Sequence, residues 1–290
     1  MDALLHQIFS GLANGCIYGS VALALVMIYQ ATHHLNFAQG EMATFSTFIA
    51  WALIQKGFPY WAAFVLTVGI SFVGGLAIQR IILRPVEKAP VLTNVIVFIG
   101  LLVIFNSLAG WFFDHTIKAF ASPFAQKGVL ATSLFSAHEM GSFIVMLSVL
   151  TALYVFFRFT PVGLAMRAAA QNPESARLVG VRVSWMLAVG WGLAAAIGAV
   201  AGMMVAPIVY LDPNMMSGIL LYGFAAALLG GVDNPWGAVI GGFVVGVLEN
   251  LLGAYVIGTE LKLTVALVLI VAVLTLRPAG LFGKHVVTRV

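Results

Sequence analysis

The sequence predicts an all-α, polytopic helical membrane protein with about nine transmembrane spans, within a range of eight to ten. Three observations carry that prediction. Of 290 residues, 62% are hydrophobic and only 8% are charged, whereas an ordinary soluble domain carries about 25% charged residues. The 14 basic and 10 acidic side chains are too few to clothe a soluble fold of this length. Apolar stretches of about 18 residues or more recur, the length a helix needs to cross a hydrocarbon core, and the charges gather in the breaks between them. The expectation is one membrane domain over residues 1–290, with no second, soluble domain.

The apolar segments run at 5–29, 36–55, 59–79, 92–113, 141–157, 185–208, 217–232, 236–256 and 263–276. The first begins after Asp2 without a basic run, so it reads as a retained span and not as a cleaved signal peptide. It is nearly continuous with the second, broken only at His33-His34. Lys56-Gly57, Arg84-Pro85, Ser122-Pro123, Asp212-Pro213 and Asp233-Asn234-Pro235 mark further breaks. The short 217–232 segment reads as a span or as a re-entrant element.

Orientation follows from lysine and arginine placement. Arg80, Arg84 and Lys88 form one basic loop; Arg158, Arg167, Arg177 and Arg182 form a second; Arg277, Lys284 and Arg289 lie in the tail. With nine spans all three fall on one side, which puts them and the carboxyl terminus in the cytoplasm. Lys56, Lys118, Lys127 and Lys262 then lie opposite. Topology thus accounts for the net charge of +4, and no nucleic-acid partner is implied. A single cysteine, Cys16, excludes an internal disulfide framework and a cysteine metal cluster. The 30 glycines cluster within spans, as at Gly11, Gly15 and Gly19 or Gly241-Gly242 and Gly246, where small residues let helices approach closely.

The longest charged island, Arg158 to Arg182, contains two helix starts. Thr160 can cap a helix that begins at Pro161, with Val162, Ala165, Met166 and Ala169 on one face and Arg167 off it. Asn172-Pro173-Glu174 is the second start, Glu174 meeting the N-terminal dipole. Ala176, Val179 and Gly180 then share a face of the second helix. Two short helices with small apolar faces make either an interfacial hairpin held by snorkelling arginines or a surface that docks a cytoplasmic motor.

Glu174-Ser175-Ala176-x-x-x-Gly180 resembles the E-A-A-x-x-x-G loop of ABC importer permeases, with Ser175 departing from the usual alanine. Asn36-Phe37-Ala38-Gln39-Gly40-Glu41 is similar to the N-F-A-H-G-E motif of the branched-chain (hydrophobic) amino-acid permease family, Gln39 replacing histidine. Gly11 to Gly19 and Gly230 to Gly242 resemble that family's first span and late glycine-rich segment. The resemblance covers nearly the whole chain, whose compact length looks like the smaller of two permease types. It implies a permease subunit of an ATP-driven importer for branched-chain or other hydrophobic amino acids, working by alternating access in a bacterial inner membrane. It further implies two ATPase subunits, a second permease subunit, of the related larger type, and a periplasmic substrate-binding protein. Residues 158–184 become the ATPase-coupling loop, with Arg167, Glu174, Ala176, Arg177 and Gly180 as its site residues. Relatives that handle urea or short amides keep that substrate class open. An ion-coupled carrier or channel is the rival outside the family.

Charged and amide groups inside spans are costly and invite a functional reading. Glu249 and Asn250 interrupt an otherwise apolar run, as a structural hydrogen-bonded pair or as part of a pathway or gate. Asn36, Gln39 and Glu41 cap an interface, or satisfy the ends of a broken helix that lines the pathway; the topology puts Glu41 near the cytoplasmic end of its span. Asn94 and Asn106 read as packing contacts. His33-His34 lacks further ligands and is not a metal site. No G-x-x-x-x-G-K-[ST], G-x-S-x-G or H-E-x-x-H pattern is present, so the chain is expected to be no enzyme and to hold no cofactor, with ATP and Mg²⁺ on the partner ATPase subunits.

Overall fold

The computed structural model describes residues 2–124, apart from His33 and Lys88, and residues 136–283. The expectations that rest on His33, Lys88, Lys127, Lys284 and Arg289 lie outside the described residues. The chain is built of helices: α1 (Asp2–Thr32), α2 (Gln39–Gln55), α3 (Tyr60–Ile78), α4 (Val91–Phe113), α5 (Ala137–Phe159), α6 (Pro161–Gln171), α7 (Pro173–Leu178), α8 (Val183–Val209), α9 (Met215–Gly230), α10 (Pro235–Tyr255) and α11 (Lys262–Leu276). A π turn at Gln79–Leu83 and a 3-10 turn at Arg84–Val86 extend α3. Among the described residues no strand forms beyond a single bridge between Lys118 and Leu211.

Each of the nine apolar segments is occupied by a helix. Among the described residues six helices are long and apolar enough to cross a membrane: Ala3–Gln30, Tyr60–Val86, Val91–Phe113, Ala137–Phe159, Val183–Val209 and Pro235–Tyr255. The other three, α2, α9 and α11, have 17, 16 and 15 residues. At about 1.5 Å per residue they fall short of a hydrocarbon core about 30 Å thick. Six helices of spanning length and three shorter apolar ones therefore stand where nine spans were expected.

The chain divides into two compact units, one of Met1–Val26, Phe124–Phe143 and Gly218–Val290, the other of Met27–Pro123 and Ile144–Ser217. In the first unit α1 packs on α10 through glycines. A Cβ on Gly11 would lie 2.8 Å from Val247 Cα, and one on Gly15 2.8 Å from Phe243 Cα. A Cβ on Gly242 would collide with the Gly19 backbone. The glycines spaced four apart in both helices thus serve one contact, because lipid supplies no hydrophobic drive and close approach must come from small residues. Past α11, the Leu281 and Phe282 amides donate to the Leu229 and Gly230 carbonyls, which ties the segment after Arg277 to the end of α9.

In the second unit α8 is the central element, with α2 and α3 against it. Its Trp191, Ala194, Gly198 and Gly202 are all buried. Gly75 of α3 lies against the Trp191 carbonyl and Ala195, and Gly202 against Thr47 of α2. Ser71 donates to Ser46 at 2.8 Å, joining α3 to α2. The Arg80 guanidinium sits 4.3 Å from the Trp185 ring centroid. That stacking brings the basic stretch after α3 to the end of α8 that carries the charged island, as the charge distribution predicted.

Candidate functional site

The island forms the two expected helices. Thr160 Oγ1 accepts from the Gly163 amide at 3.0 Å, and Pro161 takes the first helical position of α6. Asn172 Oδ1 accepts from the Ser175 amide at 3.0 Å and starts α7, with Glu174 in its first turn. The packing face of α6 is Gly163, Met166 and Ala169. Val162 is exposed instead of belonging to it, because the chain enters the helix over Phe156 and Phe157, where only glycine at 163 fits.

The second helix is shorter than the sequence suggested. It ends at Leu178, so Val179 and Gly180 lie beyond it and do not share its face. Gly180 adopts φ +85°. Its amide donates to the Arg177 carbonyl and the Val181 amide to the Ala176 carbonyl, each at 3.0 Å. That is a Schellman C-cap, which requires a left-handed residue at the glycine position. Ala176 and Ala169 are buried together with Val183 and Leu187 of α8, and Val181 packs against them. Arg167, Glu174 and Arg177 remain exposed, and so do the apolar Leu178 and Val179. The result is a helical hairpin fastened by small residues to the first turns of α8, with charged and apolar groups on its free side.

A second group surrounds the start of α2. Residues 34–38 are not helical. Asn36 Oδ1 accepts from the Ala38 amide at 3.0 Å and turns the chain into α2. Gln39 is buried, and its Nε2 donates to the Ala194 carbonyl in the middle of α8 at 2.9 Å. Gly198 leaves it room, since a Cβ there would lie 2.8 Å from Gln39 Nε2. Glu41, also buried, accepts from Asn106 Nδ2 at 3.2 Å and from Ser217 Oγ at 3.5 Å. Asn106 also reaches the Pro213 carbonyl at 3.3 Å and Asn214 Oδ1 at 2.9 Å. Glu41 therefore lies toward the Asp212–Asn214 end of α8, away from the island, whereas the sequence placed it on the island's side of its span. The cause is that α2 begins only at Gln39, already level with the middle of α8.

The third group belongs to the first unit. Glu249 is 4% exposed; it accepts from the Tyr18 hydroxyl at 2.8 Å and lies 3.7 Å from Lys262 Nζ. Lys262 also donates to Asn250 Oδ1 at 3.0 Å, and Asn250 Nδ2 donates to the Gln7 carbonyl at 3.4 Å. Tyr18 stacks on Tyr222 with centroids 4.7 Å apart. Lys262, expected on the face opposite the basic loops, opens α11 and serves as the counter-ion of Glu249. Gly253 makes this possible, since a Cβ there would press on the lysine stem 2.7 Å away.

Sequence reasoning missed Tyr18, Lys262 and Ser217 and treated Asn106 as a minor packing amide. Tyr18 and Glu249 are separated by 231 positions, and no short-range pattern signals such a pair. Among the described residues no cluster of three or more His, Cys, Asp or Glu side chains is arranged to hold a metal.

Comparison with known proteins gives one consistent result. A family profile described as branched-chain amino acid transport system, permease component, matches residues 7–274. The high-affinity branched-chain amino acid transport system permease proteins LivH of Salmonella typhimurium and of Escherichia coli are each 30% identical to the chain. Each alignment runs over 303 residues, 99% of this chain and 97% of the relative. The corresponding protein BraD of Pseudomonas aeruginosa is 29% identical over 302 residues, covering 99% and 98%.

Proposed function

The chain belongs to the family of branched-chain amino acid transport system permease components, and from that premise we propose that it forms part of the pathway of an ATP-driven importer for branched-chain or other hydrophobic amino acids. Its multi-pass helical build suits that role. ATP and Mg²⁺ act on two partner ATPase subunits, and this chain carries neither. A substrate-binding protein delivers the amino acid, and a second, related permease subunit completes the pathway. The membrane is the bacterial inner membrane, with the α6–α7 hairpin and the carboxyl terminus in the cytoplasm.

The observation that carries the coupling is the hairpin's attachment. Its buried Ala169 and Ala176 seat on Val183 and Leu187, at the start of a 27-residue helix about 40 Å long. A push on the exposed Arg167, Glu174 and Arg177 is carried through a packed contact into α8, and closely packed interiors transmit displacement instead of absorbing it. Gly180 holds the hairpin's shape. At mid-height of α8 the displacement reaches Gln39, and through α2 it reaches Glu41. Asn36, Gln39 and Glu41 thus hold the interrupted stretch that lines the pathway. Glu249 and Asn250 form with Lys262 a charge latch between α10 and α11 that keeps those helices together during alternating access.

The test is reconstitution of the chain with its co-purified subunits in proteoliposomes, with the binding protein added. ATP-dependent uptake of leucine, isoleucine or valine is expected. Uptake by the permease without any ATPase would overturn the coupling. Uptake of urea alone would overturn the amino-acid assignment and leave the permease reading standing.

A further inference from the structure

A cavity of about 190 Å³ opens in the second unit at the island end of α8. About a tenth of that volume suffices for a water molecule, so it holds several waters or a small solute. His34 lines it from the stretch after α1, Gln79 from the π turn that ends α3, Glu87 and Asn94 from the approach to α4 and its first turn, and Trp191 from α8. Phe98 and Trp191 form an aromatic wall, their rings stacked with centroids 5.9 Å apart.

Three of these side chains carry buried polar atoms without a hydrogen-bond partner: His34 Nε2, Gln79 Oε1 and Trp191 Nε1. Gln79 is 3% exposed and Trp191 fully buried. An unsatisfied buried polar atom costs about 1–3 kcal/mol, and three around one cavity call for an occupant that pairs with them. Their roles can be assigned. The indole nitrogen only donates, and the Gln79 oxygen only accepts. His34 Nδ1 lies against the Thr32 carbonyl, which makes Nδ1 the protonated nitrogen and leaves Nε2 to accept in the neutral ring. The Glu87 carboxylate adds acceptors at the exposed rim. Among the described residues no lysine or arginine lines the cavity.

We infer that this cavity is a binding site for a small primary ammonium group with an acceptor beside it. The ammonium donates to Gln79 Oε1, His34 Nε2 and Glu87, lies against the aromatic wall as a cation does, and its neighbouring acceptor takes the indole N–H. Two sources share this chemistry: a free α-amino acid on the side where the importer discharges, and the ethanolamine headgroup of a lipid. The site stands on its own geometry whether or not the transport reading holds.

The test is thermal unfolding of the full chain, purified with the subunits it carries, in nanodiscs of phosphatidylglycerol and phosphatidylcholine, which lack primary amines. Ethanolamine and L-leucine are titrated, with 4-methylpentanoate (leucine without its amino group) as control. A saturable rise in the unfolding temperature is expected with ethanolamine or leucine and not with the control. Gln79→Leu and Trp191→Phe should each weaken the response about tenfold, the loss of one hydrogen bond to a charged or zwitterionic ligand. Glu87→Gln at the rim is the second variant, chosen to leave the interior intact, and should weaken it severalfold. Repeating the titration with phosphatidylethanolamine present separates the sources: a response to ethanolamine that vanishes assigns the site to the lipid, and a response to leucine that persists assigns it to the amino acid. No response to either amine, an equal response to 4-methylpentanoate, or full binding by the variants would overturn the inference. Each of these results is read without transport, so it is distinct from a failure of uptake.

Discussion

Lys262 reaches to 3.7 Å from Glu249, so the acid that stands alone in the apolar run of α10 is paired by the first residue of α11. The same lysine holds Asn250 at 3.0 Å, while Tyr18 covers the other carboxylate oxygen at 2.8 Å. Removing one partner of a buried pair leaves the other charge stranded, at a cost of about 3–5 kcal/mol. The lysine side chain is 28% exposed, so the low end applies. Lys262→Met should lower stability by about 3 kcal/mol, whereas the double variant Glu249→Gln with Lys262→Met should recover most of that loss. Thermal unfolding of the solubilised protein measures both. An additive double variant would show that the two residues do not interact.

Gly180 separates conformation from docking. Its φ of +85° disfavours any side chain, yet a Cβ there meets nothing within 4 Å. Gly180→Ala should cost about 1–2 kcal/mol locally, and Gly180→Asn less, because asparagine tolerates the left-handed region. Limited proteolysis of the hairpin reads the conformational effect, and ATPase activity with the co-purified subunits reads docking. Equal loss of coupling in both variants with an intact hairpin would assign Gly180 to the partner interface.

Gly198 and Gln39 are expected to act as a pair. Gly198→Ala displaces the Gln39 amide from the Ala194 carbonyl, and the orphaned groups cost about 1–3 kcal/mol. Gln39→Ala removes the obstacle along with the bond. The double variant should therefore be no less stable than Gly198→Ala alone, a coupling visible in a double-mutant cycle.

The α1–α10 contact should tolerate no added methyl group. Gly242→Ala forces the helix against the Gly19 backbone, and overpacking of this kind costs about 1–3 kcal/mol or more. Gly69 and Gly74 of α3 meet nothing within 4 Å. Alanine at either should be neutral or gain about 0.5–1 kcal/mol through helix propensity. Monodispersity after detergent extraction and unfolding temperature distinguish the two classes.

Asn106 anchors the buried end of α2. Asn106→Leu withdraws a donor from Glu41 and breaks the link to Pro213 and Asn214. A loss of about 2 kcal/mol is expected, with transport reduced more than folding if the stretch lines the pathway. A fully active Asn106→Leu protein would remove Glu41 from the pathway.

The helices, the hairpin and its caps were legible because their signals are local. Thr160, Asn172 and the prolines after them act within a few residues, and a spanning helix needs only its own apolar length. Gly180 was placed on the face of the second helix because its residue type carries no record of φ; the cap became visible only with the bonds to Arg177 and Ala176. The depth of Glu41 was misplaced because the non-helical residues 34–38 carry the chain to the middle of α8 before α2 begins, which an apolar run does not reveal.

The sequence by itself determined the class, the segments that become helices and the breaks in which charges gather. These follow from the cost of exposing charge and unpaired backbone to lipid, which each segment settles alone. Tertiary structure alone decided who satisfies whom: Lys262 with Glu249, Asn106 with Glu41, Gln39 with a mid-helix carbonyl, and three polar atoms left open around one cavity. Those pairings depend on helix register and depth across scores of residues, set by close packing at glycines that no single segment can specify.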